Sequence, residues 1–369
     1  MLFLQSLNIT NFKNIHGAEF GFSSNINAFL GLNGMGKSNL LDAIYYLSFC
    51  KSFAGIPDAK LMTRGETFAM VKGIYERRGQ AEEITLGITE GRRKSFKRQG
   101  KEYQRLSQHI GAFPLVMVSP SDMDLISGGS EERRKFADMI ISQTDSVYLD
   151  RLIRYNNALQ QRNRLLRDHV SNPDIFAAVE AGMSMAAEYI TAKRSQFISE
   201  FAPLFTSIYR SISLSDETPR LLYKSSMAES GQQLEALLDE NRRRDEILGH
   251  TSAGPHRDDL LMTLDDMPVR TTASQGQSKT FTISMRFAQY EFMRRACGMK
   301  PILLLDDIFD KLDAVRVGSI VSLVDSDNFG QIFITDTNRD YLDAIMAKTS
   351  ADYRLWSVDN GQFSSITTQ

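Results

Sequence analysis

Gly31-Leu32-Asn33-Gly34-Met35-Gly36-Lys37-Ser38 satisfies the spacing G-x-x-x-x-G-K-[ST]. Residues of these types at this spacing hold phosphate. The glycines let backbone N–H groups turn inward around anionic oxygens, and a helix opening directly behind them adds partial positive charge. Lys37 would reach the β- and γ-phosphates of a nucleotide, and the Ser38 hydroxyl would ligate Mg2+. The bland alternative is a glycine loop that merely turns a strand into a helix. The strand–loop–helix context argues against it.

Pro301-Ile302-Leu303-Leu304-Leu305-Asp306-Asp307 is an apolar strand ending in two carboxylates. Asp306 can hold Mg2+ directly or through water. Asp307, on the other side of the chain, can orient or deprotonate an attacking water. Paired acids are also common in turns, so the phosphate loop is what gives this pair its weight. A third signal is Ser274-Gln275-Gly276-Gln277 ahead of a helix. Ser274 is a plausible N-cap, and Gly276 permits a phosphate to approach exposed N–H groups. An isolated SQGQ would be an ordinary cap. Its place 306 − 276 = 30 residues before Asp306 sets it apart.

The elements that must position these groups are legible as periodicities. Leu7 and Ile9, then Ala18, Phe20 and Phe22 after a turn at Gly17, alternate as strands, as do Ile84, Leu86 and Ile88. Ile26 to Leu30 and Leu115 to Val118 are short apolar runs, and Leu40, Leu41, Ile44 and Leu47 recur at helical spacing behind the glycine loop. From about Glu131 to Leu248 the spacing is helical, with breaks at Asn172-Pro173-Asp174 and Asp216 to Pro219. Alternation of strand and helix then resumes. Leu260, Met262 and Leu264 lead into a turn at Asp265 to Pro268, and a helix runs from about Gly276 to near Gly298. Beyond the Ile302 strand, Asp313 caps a helix packing through Val317, Ile320, Val321 and Val324. Gln331 to Thr335 is a strand and Asp340 to Ala347 a helix. Tyr353 to Val358 and Gln362 to Thr367 form a closing hairpin around Asp359-Asn360-Gly361. The fold expected is one α/β body split by a helical insertion. No heptad is sustained long enough for a coiled-coil arm.

The chain has 369 residues, 42% of them hydrophobic and 24% charged, enough to bury a core without staples. Lys+Arg 43 against Asp+Glu 45 gives −2, so no global field draws it to polyanions and any such binding must come from local patches. Cys50 and Cys297 are far apart, which excludes a disulfide scaffold and fits a reducing compartment. The N-terminus lacks a secretory pattern and no run approaches the roughly 18 apolar residues of a span. A cytoplasmic protein without a membrane partner is expected.

The order Asn11-Phe12-Lys13, GLNGMGKSN, SPSDM, RRKF, GPHRDDL, SQGQ, LLLDDIFDKLD and FITD resembles the RecF family of bacterial DNA replication and repair proteins, over essentially the whole chain. That family is similar to the heads of SMC and Rad50 proteins. The resemblance implies an ABC-type P-loop ATPase head with a mixed β-sheet lobe (1–118 and 290–369), a helical second lobe (119–289) carrying the signature motif, and no long coiled coil. It implies nucleotide contacts from Lys13, Asn39, Ser274 and Gly276 besides Gly31 to Ser38. Lys37 and Asp307 would be catalytic, Ser38 and Asp306 metal-binding, and ATP and Mg2+ the cofactors. Phe309-Asp310-Lys311-Leu312-Asp313 is similar to a D-loop. Ser274 of one subunit would face the γ-phosphate held by Lys37 of another, so ATP would join two copies and hydrolysis would be weak and DNA-stimulated. Single-stranded, gapped or duplex DNA, RecR and RecO are the implied partners, with recombinase loading and the SOS response as context. Two departures stand out: Ala54 occupies a position where the family often has Arg, and Asp307 is shorter than the Glu of transporters.

Three other readings weigh less. An SMC- or Rad50-like head in chromosome maintenance separates its phosphate loop and carboxylates by hundreds of heptad residues, whereas here 306 − 37 = 269. A small-molecule kinase would not need SQGQ. A transporter subunit usually carries a switch His where Asp336 and Thr337 stand. For phosphate contacts with DNA the basic groups are Arg92, Arg93, Lys94, Lys97, Arg98 and Lys101; Arg151, Arg154, Arg162, Arg164 and Arg167; and Arg242 to Arg244. The middle group has the better local charge excess, although charge runs more often mark a solvated face. Arg133-Arg134-Lys135 opens a helix after Gly128-Gly129 and reads equally as a nucleotide or DNA contact or as side chains that simply sit in solvent. His256 reads as part of a hydrogen-bonded loop, since five scattered histidines do not make a metal site.

Overall fold

The computed structural model describes residues 1–213, 215–309, 314–324, 328–348 and 352–366. The chain forms two compact units, Met1–Asp122 with Arg286–Gln369, and Met123–Met285. The first unit begins with β1 (Leu2–Phe12), β2 (Ile15–Gly21), β3 (Ile26–Leu30) and α1 (Lys37–Phe49). There follow β4 (Phe68–Arg77), β5 (Gln80–Thr89), β6 (Ser95–Arg98), β7 (Lys101–Glu102) and β8 (Leu115–Val118). The second unit holds α2 (Asp124–Ser127), α3 (Ser130–Thr144), α4 (Ser146–Arg167) and α5 (Pro173–Ser213), then β9 (Pro219–Lys224), α6 (Ser226–Ser230) and α7 (Leu234–Leu248). It continues with β10 (Asp259–Leu264), β11 (Met267–Pro268), α8 (Val269–Thr272) and α9 (Gln275–Cys297), within which the unit boundary falls. The chain returns to the first unit through β12 (Ile302–Asp306), α10 (Ala314–Val324), β13 (Ile332–Asp336), α11 (Arg339–Lys348), β14 (Tyr353–Asp359) and β15 (Gln362–Ile366).

Two six-stranded sheets build the first unit, ordered β2-β1-β4-β5-β6-β7 and β15-β14-β3-β13-β12-β8. In the second, β8, β12, β13, β3 and β14 run parallel and β15 closes the edge antiparallel. β12 and β13 are buried at every position, as parallel strands covered on both faces must be. α1 packs between the two sheets and is buried from Leu40 to Phe49, a span apolar except for Asp42 and Ser48. The fully buried Gln331 amide ties the layers. Its Oε1 accepts from Leu4 N at 2.7 Å, and its Nε2 donates to the carbonyls of Leu4 and Ser23, each at 2.8 Å.

The β1–β2 turn is at Lys13-Asn14, between the paired Phe12 and Ile15, not at Gly17. Lys13 supplies the left-handed residue (φ 53°), and Gly17 lies inside β2 opposite Thr10. β4 has no counterpart in the periodicity reading. Its alternation, Ala69, Val71 and Tyr75, is interrupted by Gly73, where a Cβ would come within 2.7 Å of Leu47 Cδ1. Only Phe309 of the D-loop-like segment falls among the described residues; Asp310 to Asp313 lie outside them, as do the side chains of Val321 and Val324.

In the second unit, helices α2 to α8 and the start of α9 accompany a three-stranded sheet ordered β11-β10-β9. Its centre is ionic. Arg162 is fully buried, its guanidinium 2.6 Å from Glu180 and 2.7 Å from Asp245. Arg194 binds Asp138 at 2.9 Å and Asp258 at 3.2 Å. No described helix is long and apolar enough to cross a membrane.

Candidate functional site

β3, β13 and β12 end at one level, because Asp306 pairs with Thr335 and Thr335 with Phe29. Parallel strands deliver their following loops to the same edge, the usual ligand edge of an open α/β sheet. The glycine loop leaves β3 there. Gly34 and Gly36 have φ of 83° and 112°, a region where a side chain is strained, and a Cβ on Gly36 would meet Asn14 Oδ1 at 2.9 Å. Gly36 is the N-cap of α1 and no side chain caps it; its carbonyl accepts from Asn39 and Leu40 N, and the N–H groups of Lys37 and Ser38 precede the first helical acceptor.

The loop and the acid strand converge. Ser38 Oγ donates to Asp306 Oδ1 at 3.0 Å, and Thr335 Oγ1 donates to the same oxygen at 2.6 Å. Burial pushes the Asp306 carboxyl above the usual carboxylate range. Those hydrogen bonds and the charges of Lys37 and Lys13 pull it back. Lys37 is buried, with Nζ 2.6 Å from the Gly31 carbonyl, 3.2 Å from that of Leu32 and 3.9 Å from Asp307 Oδ1. Asp307 adopts φ 46°, and its N–H donates to the Thr335 carbonyl at 3.2 Å. The carboxylate of this left-handed residue is partly exposed beside Lys37.

Lys13 stands 2.6 Å from Asp42 of α1, whose carboxylate also accepts from Ser52 and Phe53 N. Asn39 Nδ2 donates to Asn14 Oδ1 at 2.8 Å. Leu32, Asn33 and Gly34 form the exposed crest, and Met35 is half-buried. Ser274 and Gly276 belong to the second unit. There Gln277 N donates to Ser274 Oγ at 3.2 Å while Ser274 N donates to Gln277 Oε1 at 2.7 Å, a reciprocal capping box. Thr335 and Asn14 were not singled out by the sequence reading. Thr335 sits in FITD, and only strand pairing reveals that it faces Asp306.

The basic groups are corrected by the structure. Arg162 is interior, not surface, and Arg242 binds Glu180 at 2.8 Å while stacking on Phe176. Arg133 forks onto Asp259 and Arg134 donates to the Asp258 carbonyl, so both brace the second unit. Lys94 is held by Asp58, Tyr46 and the Cys50 carbonyl, and Arg98 by Glu82. Arg92, Arg93, Lys101, Arg154, Arg164, Arg167, Arg243 and Arg244 remain exposed, with Arg154 and Arg164 paired to Asp150 and Asp168. His256 is a structural ligand: Tyr155 O–H donates to its Nδ1 at 2.7 Å, and its Nε2–H donates to the Thr251 carbonyl at 3.0 Å. Among the described residues no cluster of three His, Cys, Asp or Glu could hold a metal by itself.

The RecF/RecN/SMC N-terminal domain family model matches residues 3–361. The chain is 49% identical over 364 residues to the DNA replication and repair protein RecF of Phocaeicola vulgatus, covering 98% of each. It is 48% identical over 367 residues to that of Bacteroides fragilis, covering 99% of each. Solved structures of the recombination mediator protein RecF in the RecFOR pathway superpose with TM-scores of 0.89, as RecF-ATPrS at 26% identity and RecF-ATP at 25%. Each covers 99% of this chain and 98% of the other. An Smc head from Pyrococcus furiosus shares the fold at TM-score 0.60 and 19% identity, covering 99% of this chain and 96% of that one.

Proposed function

Because the chain belongs to the RecF family and carries its role in DNA replication and repair, we propose that it binds Mg2+-ATP at the glycine loop and pairs with a second copy of itself on DNA. The observation that carries this is the meeting of Ser38, Asp306, Thr335 and Lys37 at one strand edge. The donor set fits the ligand. An ammonium and the N–H groups of a helix start suit the phosphates, and a hydroxyl beside a carboxylate suits a hard divalent cation. Lys37, Gly31 to Ser38, Asn39 and Lys13 would hold the nucleotide, and Ser38 and Asp306 the metal. The bound cation supplies neutralisation of phosphate charge. Asp307, 3.9 Å from Lys37, orients or deprotonates the water. Ser274 and the N–H groups around Gly276 of one copy complete the site of the other. A lone copy therefore lacks part of the transition-state stabilisation and hydrolyses slowly.

DNA would be held through phosphates by the arginines that remain exposed, with steep salt dependence. Gapped or single-stranded DNA, RecR and RecO, recombinase loading and SOS induction in the cytoplasm complete the reading, supported by family membership. Light scattering without nucleotide, with ADP and with ATP, each with and without gapped duplex, tests it. The expected result is a doubling of mass with ATP alone. A mass unchanged by ATP on and off DNA would overturn the dimer reading. The SMC-like alternative shares the fold and the family model, but the Smc head is only 19% identical to this chain.

A further inference from the structure

The glycine loop has a neighbour that its own sequence does not announce. β14 runs parallel to β3 as far as the Leu30–Ser357 pair. Beyond it, β3 opens into the loop while β14 continues through Val358 and Asp359 before it turns. Val358 packs so closely on Gly31 that a Cβ there would sit 2.4 Å from the Val358 carbonyl oxygen. Asn360 and Gly361, with φ of 45° and 78°, form the two-residue turn between the paired Asp359 and Gln362. Both turn N–H groups point at Met35. Gly361 N donates to the Met35 carbonyl at 2.7 Å, and Asn360 N lies 3.4 Å from Met35 Sδ. Asn14 braces the same spot. A Cβ on Gly361 would fall 2.2 Å from the Asn14 carbonyl oxygen, and the Asn14 side chain lies against Gly36 while accepting from Asn39.

A trans peptide is planar, with C=O of one residue antiparallel to N–H of the next. Fixing the Met35 carbonyl toward the hairpin therefore fixes Gly36 N–H toward the opposite face of the loop. Gly36 has no Cβ and its flanking torsions are soft, so nothing within the loop holds that peptide against flipping. We infer that the C-terminal hairpin turn is a working part of the phosphate site: Gly361 N–H is a positioning group that aims Gly36 N–H at a nucleotide phosphate, with Asn14 as its backing. The inference rests on the nucleotide reading above. It adds that the donor array of the loop is preorganised by residues more than three hundred positions away.

The test compares the full-length protein with three variants by ATP calorimetry and by amide exchange resolved over residues 31–38. Ser364→Thr, at an exposed position of β15 outside the turn, is the control and is expected to match wild type. Gly361→Ala, and insertion of two glycines after Asn360, uncouple the turn. Each is expected to weaken ATP binding roughly fivefold or more, the worth of one or two neutral hydrogen bonds. Each should also speed exchange at Met35 to Ser38 while the remaining amides keep their protection. Should Gly361→Ala lose its fold, the insertion variant decides. An insertion variant that folds, binds ATP as tightly as wild type and keeps its loop protection overturns the inference. Wild type that ignores ATP would remove the nucleotide reading instead, and loop exchange unchanged between wild type and insertion would still count against the turn.

Discussion

The Ser38 hydroxyl donates to the Asp306 carboxylate across 3.0 Å although 268 positions separate them. Asp306 is held in the protein interior at a cost in hydration, and in the proposed function it is a ligand of the cation. Asp306→Asn keeps both acceptor contacts and loses the charge. The expected outcome is a loss of about tenfold or more in the Mg2+-dependent part of ATP affinity, with thermal stability equal to or above wild type. Titrations with Mg2+ and with EDTA check it, and an equal loss in both would count against metal ligation.

Lys37→Ala and Ser274→Arg separate binding from pairing. Lys37→Ala should abolish ATP binding by a factor on the order of a hundred, since it removes a buried cation facing phosphate. Ser274→Arg should leave ATP affinity of the monomer within about twofold and abolish ATP-dependent dimerisation. Paired calorimetry and light scattering distinguish them, and dimers of Ser274→Arg would contradict the trans arrangement.

Asp307→Asn should bind ATP normally and hydrolyse it about a hundredfold or more slowly, as expected for loss of a general base. Single-turnover phosphate release measures this. A variant as fast as wild type would move the water-activating role elsewhere.

Acid should loosen both units through two histidines. His109 and His256 are buried, and burial lowers both to about 4 from 6.5. Each accepts from a tyrosine hydroxyl at Nδ1 and donates from Nε2 to a carbonyl, which requires the neutral ring. Between those pH values the unfolded chain binds more protons than the folded one, so stability rises with pH across the window and is lost as pH falls through it. Each contributes up to about 3 kcal/mol. Urea melts at pH 7 and pH 5 should differ less in His109→Gln and His256→Gln than in wild type.

Arg162→Ala should cost about 3–5 kcal/mol because Asp245 would remain fully buried without its cation and Glu180 would keep only Arg242. Arg154→Ala, at an exposed pair with Asp150, should cost under about 1 kcal/mol. Comparable urea midpoints for the two would refute the assignment of Arg162 to the interior.

The glycine loop, α1 and the β12 acids were readable because each is a contiguous segment whose local period or spacing encodes its role. The Asn360-Gly361 turn was readable for the same reason, yet its seat against Met35 was not, since that follows from β14 choosing β3 as its neighbour. Arg162 misled in the same way. Its charge is local, but its counterions stand 18 and 83 positions off, so the run of arginines looked solvated. β4 escaped notice because Gly73, needed to admit Leu47, breaks the alternation that marks a strand.

The two strands flanking β3, β13 and β14, are both supplied near the end of the chain, while the second unit is one uninterrupted segment made earlier. During translation, then, the ribosome delivers the glycine-rich segment long before its scaffold exists. The inserted unit can mature first, whereas β3 gains both of its neighbours only once β14 has been made. Nascent chains stalled before Tyr353 should thus be cleaved readily around Ile26 to Leu30 whether or not ATP is added, and released chains should gain ATP-dependent protection there.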